Sequence, residues 1–184
     1  VDEIDGLKIT CIDNGMPVVL IRAEDVGVTG YETLHEMNSS ENLKKNLETI
    51  RLRVGKAMNL GVVQNKVVPK MCLVSPPING GTINTRCFIP HVCHSSIGVL
   101  AAVTVGTACV LPGSVAFELS ETSDENPKLI SVEHPTGEFS VELETRETPD
   151  GIPHIQRAAL LRTTRRLMEG FALIPADIWD GKIS

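Results

Sequence analysis

Aromatic side chains are scarce in this sequence, with one Trp, one Tyr and four Phe among 184 residues. A platform of stacked rings for single-stranded nucleic acid therefore has little to be built from. Positive charge is in deficit as well: 17 Lys and Arg against 23 Asp and Glu leave a net charge of −6. With a pI near 5.4, neither nucleic acid nor an anionic membrane is expected as the main partner. The apolar run over 97–111 is too short to span a bilayer, and the opening residues lack a basic-then-apolar signal pattern. The five cysteines, Cys11, Cys72, Cys87, Cys93 and Cys109, are odd in number and scattered, so they form neither a disulfide framework nor a paired zinc motif. A reduced, cytoplasmic protein is the expectation. Internal repeats, low-complexity tracts and interdomain linkers are absent too, which leaves one domain or two small ones. Val1 is not an initiator residue and the stretch 2–6 reads as mid-protein sequence, so the chain is expected to be a fragment.

What is present is organised around 86–102. From Ile97 to Val110 no charged residue occurs, so a helix over 97–109 has no face for water and must be enclosed by other elements. Ser95 and Ser96 are N-cap candidates. Such caps would put Cys93 and His94 close to the positive end of the helix dipole, where a thiolate or a bound carboxylate is favoured. Elsewhere the patterning predicts strands over 7–13, 18–21, 67–74, 82–89, 114–119, 129–133 and 138–144. A helix capped by Ser39 or Ser40 would carry Leu43, Leu47, Ile50, Val54 and Met58 on one face. Turns are expected at 14–17, at Gly80-Gly81 and at His134-Pro135-Thr136-Gly137, and 24–30 reads as a loop. The segment 158–168 suits either a helix or a strand.

The motifs Asp13-Asn14-Gly15-Met16-Pro17, Val68-Pro69-Lys70-Met71, Ser75-Pro76-Pro77, Thr85-Arg86 and Phe88-Ile89-Pro90-His91 come in that order. Cys93-His94, Ser96-Ile97-Gly98, Glu133-His134-Pro135-Thr136-Gly137 and Leu161-Arg162-Thr163 follow. Together they resemble the second half of proteins with the diaminopimelate-epimerase-like fold, within it the PrpF branch. The resemblance implies an α+β domain in which a β-barrel wraps a central buried helix, facing a similar first domain across a cleft. Residues 1–184 would be that second domain, with 170–184 a strand that pairs with the first. It further implies a cofactor-independent isomerase that moves a double bond by a 1,3-proton shift in an unsaturated oxo-tricarboxylate such as 4-oxalomesaconate. This half would mainly hold the substrate carboxylates, and the main base would lie in the other half. No metal or organic cofactor is required. The partners implied are the di- or tricarboxylate substrate and the first domain, and a homo-oligomer is compatible.

Under that resemblance Cys93 is the candidate catalytic residue, and Asn14, Met16, Ser75, Arg86, His91, His94, Ser95 and Ser96 are candidate substrate contacts. Each also has a plainer reading. Cys93 could be a buried small hydrophobe, His91 and His94 could only fix their loop, Ser95 and Ser96 could merely cap, and Asn14 before Gly15 is a common turn residue. Arg86 and Arg162 could bind carboxylates bidentately. A zinc site from His91, Cys93 and His94 is poor, because no second ligand pair follows. Two rival functions stay open: a two-cysteine epimerase or racemase, in which Cys93 itself titrates, and a non-catalytic carboxylate-binding domain. A cysteine hydrolase lacks an acid to orient its histidine.

Overall fold

The computed structural model describes residues 2–4, 6–149, 151–161, 165–175, 177–179 and 181. Among them, eight strands form one mixed sheet in chain order: β1 (Asp2–Ile4), β2 (Leu7–Asp13), β3 (Pro17–Arg22), β4 (Lys70–Ser75), β5 (Ile83–Phe88), β6 (Lys128–His134), β7 (Gly137–Arg146) and β8 (His154–Leu160). The helices are α1 (Leu34–Ser39), α2 (Glu41–Ala57) and α3 (Val99–Val110), with a 3-10 turn at Glu24–Val26. The pairs β3/β4 and β5/β6 are parallel and all others antiparallel. A parallel pair needs a long crossover. One crossover here carries α1 and α2, and the other carries α3.

The two crossovers cover opposite faces. Along β3 and β4, Val19, Ile21, Met71 and Leu73 pack with α1 and α2, whereas Val18, Leu20, Cys72 and Val74 pack with α3. Both faces being buried, these strands read as continuous apolar runs rather than as alternating ones. Ile130, Val132, Val141 and Leu143 of β6 and β7 complete the cluster around α3. The helix touches β2 and β3 on one side of the sheet order and β6 and β7 on the other. All of its residues from Ala101 to Val110 are buried, as the missing charges require. Among the described residues no helix is long and apolar enough to cross a membrane.

Several sequence expectations need correction. The segment 114–119 forms turns, not a strand. Ser114 Oγ donates to Ala108 O at 2.6 Å and accepts from the N–H groups of Ala116 and Phe117, each at 3.1 Å. A serine that satisfies the backbone locally removes the need for a ladder partner. Helix α1 and strand β1 had no periodic signal because each is so short. What marks α1 is a capping box, with Thr33 Oγ1 accepting from the Glu36 N–H and the Glu36 carboxylate accepting from the Thr33 N–H. Ser39 therefore ends α1, and Ser40, the N-cap of α2, makes no side-chain cap bond. The ambiguous segment enters as strand, since β8 runs to Leu160; residues 162–164, with Arg162, lie outside the described residues.

Candidate functional site

The loop after β5 is built by doubling back. The Ile89 N–H donates to Val92 O at 2.9 Å, Cys93 bridges Phe88, and the His94 N–H donates to Cys87 O at 2.8 Å. Cys93 is only 3% exposed and packs with the α1/α2 cluster. Its N–H donates to Asn38 Oδ1 at 2.8 Å. From there the Ser96 N–H donates to His94 Nδ1 at 2.9 Å, and Ser96 Oγ lies 3.1 Å from His134 Nε2. In the turn between β6 and β7, the Thr136 N–H donates to His134 Nδ1 at 3.3 Å and Thr136 Oγ1 donates to Ser95 O at 2.8 Å. Two loops distant in sequence are thus sewn together through a histidine and a threonine.

The expected capping is overturned by this arrangement. α3 begins at Val99 with Gly98 as its N-cap and no side-chain cap bond; the Ser96 hydroxyl meets His134 instead, and the Ser95 carbonyl accepts from Thr136. Cys93 therefore precedes the helix by several residues rather than sitting in its dipole. The expected fall in its thiol pKa does not occur. Burial pushes the thiol up to about 11, and the opposing Arg86 charge is too weak to reverse that.

The other nominated residues form separate groups. Asn14 Nδ2 donates to Thr107 Oγ1 at 2.8 Å, and Thr104 Oγ1 donates to Met16 O at 3.0 Å, so the β2–β3 turn is tied onto α3. Ser75 Oγ accepts from Asn84 Nδ2 at 2.7 Å, and the same amide donates to Gly30 O at 2.8 Å. Gly30, at φ +85°, has to be glycine: a Cβ there would lie 2.5 Å from Ser75 Oγ. A cavity of about 340 Å³ lined by Arg22, Thr29, Tyr31, Ser75 and Pro76 opens beside it. Arg86, 6% exposed, spends Nε on Glu32 O at 2.9 Å and Nη1 on Asn84 Oδ1 and Thr85 O at 3.1 and 2.9 Å. Only its Nη2 makes no hydrogen bond to the described residues, which rules out a fork of two free arms. His91 is exposed, with Nδ1 3.6 Å from Glu48 Oε2, and is not part of the His94–Ser96–His134 group.

Sequence reasoning passed over four side chains. From sequence His134 and Thr136 read first as turn residues; a histidine between two strand ends is the available signal. Glu133 is 2% exposed and accepts from the N–H groups of Ile78, Asn79 and Gly81 at 2.9, 2.7 and 2.9 Å. Lys70, 8% exposed at the start of β4, has its pKa lowered chiefly by burial. Among the described residues no three His, Cys, Asp or Glu side chains come together to hold a metal ion. Chemically, the 94–96 and 134–136 loops gather hydrogen-bond donors suited to an anion.

A family model described as PrpF protein matches residues 1–175. The 4-oxalomesaconate tautomerase of Pseudomonas putida is 52% identical over 180 residues, covering 98% of this chain and 48% of that protein. The (4E)-oxalomesaconate Delta-isomerase of Novosphingobium sp. is 50% identical over 174 residues, covering 95% of this chain and 48% of that protein. The crystal structure of methylitaconate-delta-isomerase superposes with a TM-score of 0.68 at 20% identity, over 85% of this chain and 45% of that one, a likeness of fold. The chain spans about half the length of the curated relatives it matches. With a family model running through nearly the whole sequence, and with the β5 loop, the β6–β7 turn and α3 arranged as described, the chain belongs to the PrpF family.

Proposed function

We propose that this chain is the carboxylate-holding half of an isomerase that moves a double bond by a 1,3-proton shift in an unsaturated oxo-tricarboxylate such as 4-oxalomesaconate. The observation that carries this is the Ser96–His94–His134–Thr136 network, which gathers donors just ahead of the uncapped start of α3. The names of the two half-identical relatives support the substrate class. In such a shift, one group takes a proton from carbon next to a carbonyl, and the resulting dienolate is reprotonated at the far end of the allylic system. The charge that develops on oxygen needs preorganised N–H, O–H or cationic partners. Ser96, His94 and the free arm of Arg86 would supply them here. With its thiol held protonated by burial, Cys93 would shape the site rather than abstract the proton, and the base would come from the complementary half. The chemistry calls for no cofactor, and the cytoplasm is the compartment that suits such a metabolite.

The finer fold reading belongs to the same proposal. The sheet would close as a barrel around α3, with 1–184 as the second of two domains and 170–184 as a strand paired to the first. Support comes from α3 touching strands of both halves of the sheet. It also comes from Leu167, Met168, Phe171 and Leu173, all more than four-fifths exposed, an apolar surface that a partner domain would cover.

The test uses this chain alone and mixed with a separately made segment of the Pseudomonas putida relative, the part that this chain does not match. Each is incubated with 4-oxalomesaconate in deuterated water and followed by NMR. Deuterium uptake and double-bond migration only in the mixture would establish the reading. No exchange from halves shown to associate would refute it.

A further inference from the structure

We propose that His134 is a positioning residue that aims the Ser96 hydroxyl, as a donor, at a carboxylate of the substrate; this rests on the carboxylate-holding reading above. His134 Nδ1 takes the Thr136 N–H at 3.3 Å and lies 3.4 Å from Thr136 Oγ1, whose proton goes to Ser95 O; we assign the proton of the neutral ring to Nε2 on the backbone contact. Nε2–H then donates to Ser96 Oγ, 3.1 Å away. That bond occupies a lone pair of the hydroxyl, and the hydroxyl hydrogen is directed away from the imidazole. The Ser96 backbone is held in place by its N–H, which donates to His94 Nδ1 at 2.9 Å. That same bond places the His94 proton on Nε2. The Thr136 Oγ1 bond to Ser95 O at 2.8 Å fixes the two loops relative to each other, so the geometry is set before any ligand arrives.

The ring's environment keeps it neutral. Burial is the largest influence and lowers the His134 pKa, the positive charge of Arg86 acts in the same direction, and the carbonyls of Glu138 and Ser95 oppose them without reversing the shift. A neutral His134 donates from Nε2 only while Nδ1 stays an acceptor. The pair is therefore a fixed hydrogen-bond relay ending on a hydroxyl, without a nucleophile, since no base takes the Ser96 proton.

The experiment is a double-mutant cycle on tricarballylate binding, measured by calorimetry on this chain assembled with the complementary segment of the Pseudomonas putida relative. It runs beside long-range 1H–15N NMR of the His134 ring in this chain. Ser96→Ala and His134→Leu are each expected to weaken binding about tenfold, the loss of roughly one hydrogen bond to a charged group. The double variant should be no weaker than Ser96→Ala alone. His134→Gln, whose amide nitrogen reaches the Nε2 position, should bind within about twofold of wild type, an outcome a merely space-filling histidine would not give. The ring should show the Nε2-protonated tautomer. Additive losses, a Gln variant as weak as the Leu variant, an Nδ1-protonated ring, or no tricarballylate binding by wild type would each overturn the proposal. Failure of the isomerase reading appears separately, as absent deuterium exchange with binding and coupling intact.

Discussion

Replacing Glu133 with Ala is expected to destabilise this domain by an amount that the structure lets one work out. The carboxylate takes three backbone N–H groups, those of Asn79 and Gly81 on Oε1 and that of Ile78 on Oε2, and the residue is 2% exposed. A hydrogen bond to a charged group contributes about 1.5–3 kcal/mol when its loss leaves a buried partner unsatisfied. The Gly81 bond is the buried one of the three, whereas the Ile78 and Asn79 bonds are only partly buried and those N–H groups can rehydrate. Counting the first in full and the others at about 1 kcal/mol each gives a loss on the order of 4 kcal/mol. Glu133→Gln keeps an oxygen for Asn79 and Gly81 but turns an amide NH2 toward the Ile78 N–H, so about half that loss is expected. Urea denaturation should show the midpoint falling from wild type to Gln to Ala at constant m. Hydrogen exchange should speed up at the Ile78, Asn79 and Gly81 amides ahead of those in α2. An Ala variant that loses less than about 1 kcal/mol, or Ala and Gln variants of equal stability, would refute the accounting. Because Glu133 immediately precedes His134, the same substitution also loosens the start of the turn that carries the site.

Two further outcomes are expected. Arg51 has no exposed surface; its Nη1 serves the carbonyls of Val63, Lys66 and Val68 at 3.0, 3.0 and 2.9 Å, and Nε and Nη2 hold the Glu48 carboxylate. Arg51→Lys keeps the charge but not the fork, so a loss of roughly 3 kcal/mol in urea denaturation and faster proteolysis within 63–68 are expected; wild-type stability would contradict this. Cys93, with its thiol raised to about 11, should react with iodoacetamide at pH 8 roughly a hundredfold more slowly in the native chain than in urea, as peptide mass spectrometry would show. Native alkylation as fast as in urea would restore the activated-thiol reading and with it the two-cysteine epimerase.

The elements that sequence made legible are those whose signal is local and repeated. Leu43, Leu47, Ile50 and Val54 recur at helical spacing, and all four are buried on α2. Val141 and Leu143 alternate along β7, and both reach the α3 cluster. Where the expectation failed, a group had taken a partner that no periodicity encodes: Ser114 turns back on Ala108, Ser96 Oγ meets His134, and the Ser95 carbonyl accepts from the Thr136 hydroxyl.

By itself the sequence determined that 101–110 must be enclosed, since the run carries no charge, although Val99 and Leu100 at the start of α3 are exposed, and that most strands fall where apolar runs meet turn residues. The order of its motifs also carried the family. Only the tertiary structure decided which of the chemically able residues meet. Ser96 and His134 are 38 positions apart and Asn14 and Thr107 are 93 apart, and only the packing of the α3 crossover against one face of the sheet brings such pairs into contact. The tertiary structure likewise decided the state of Cys93. Charge near a thiol can be guessed from neighbours in sequence, but desolvation depends on everything packed around it, and here desolvation dominates.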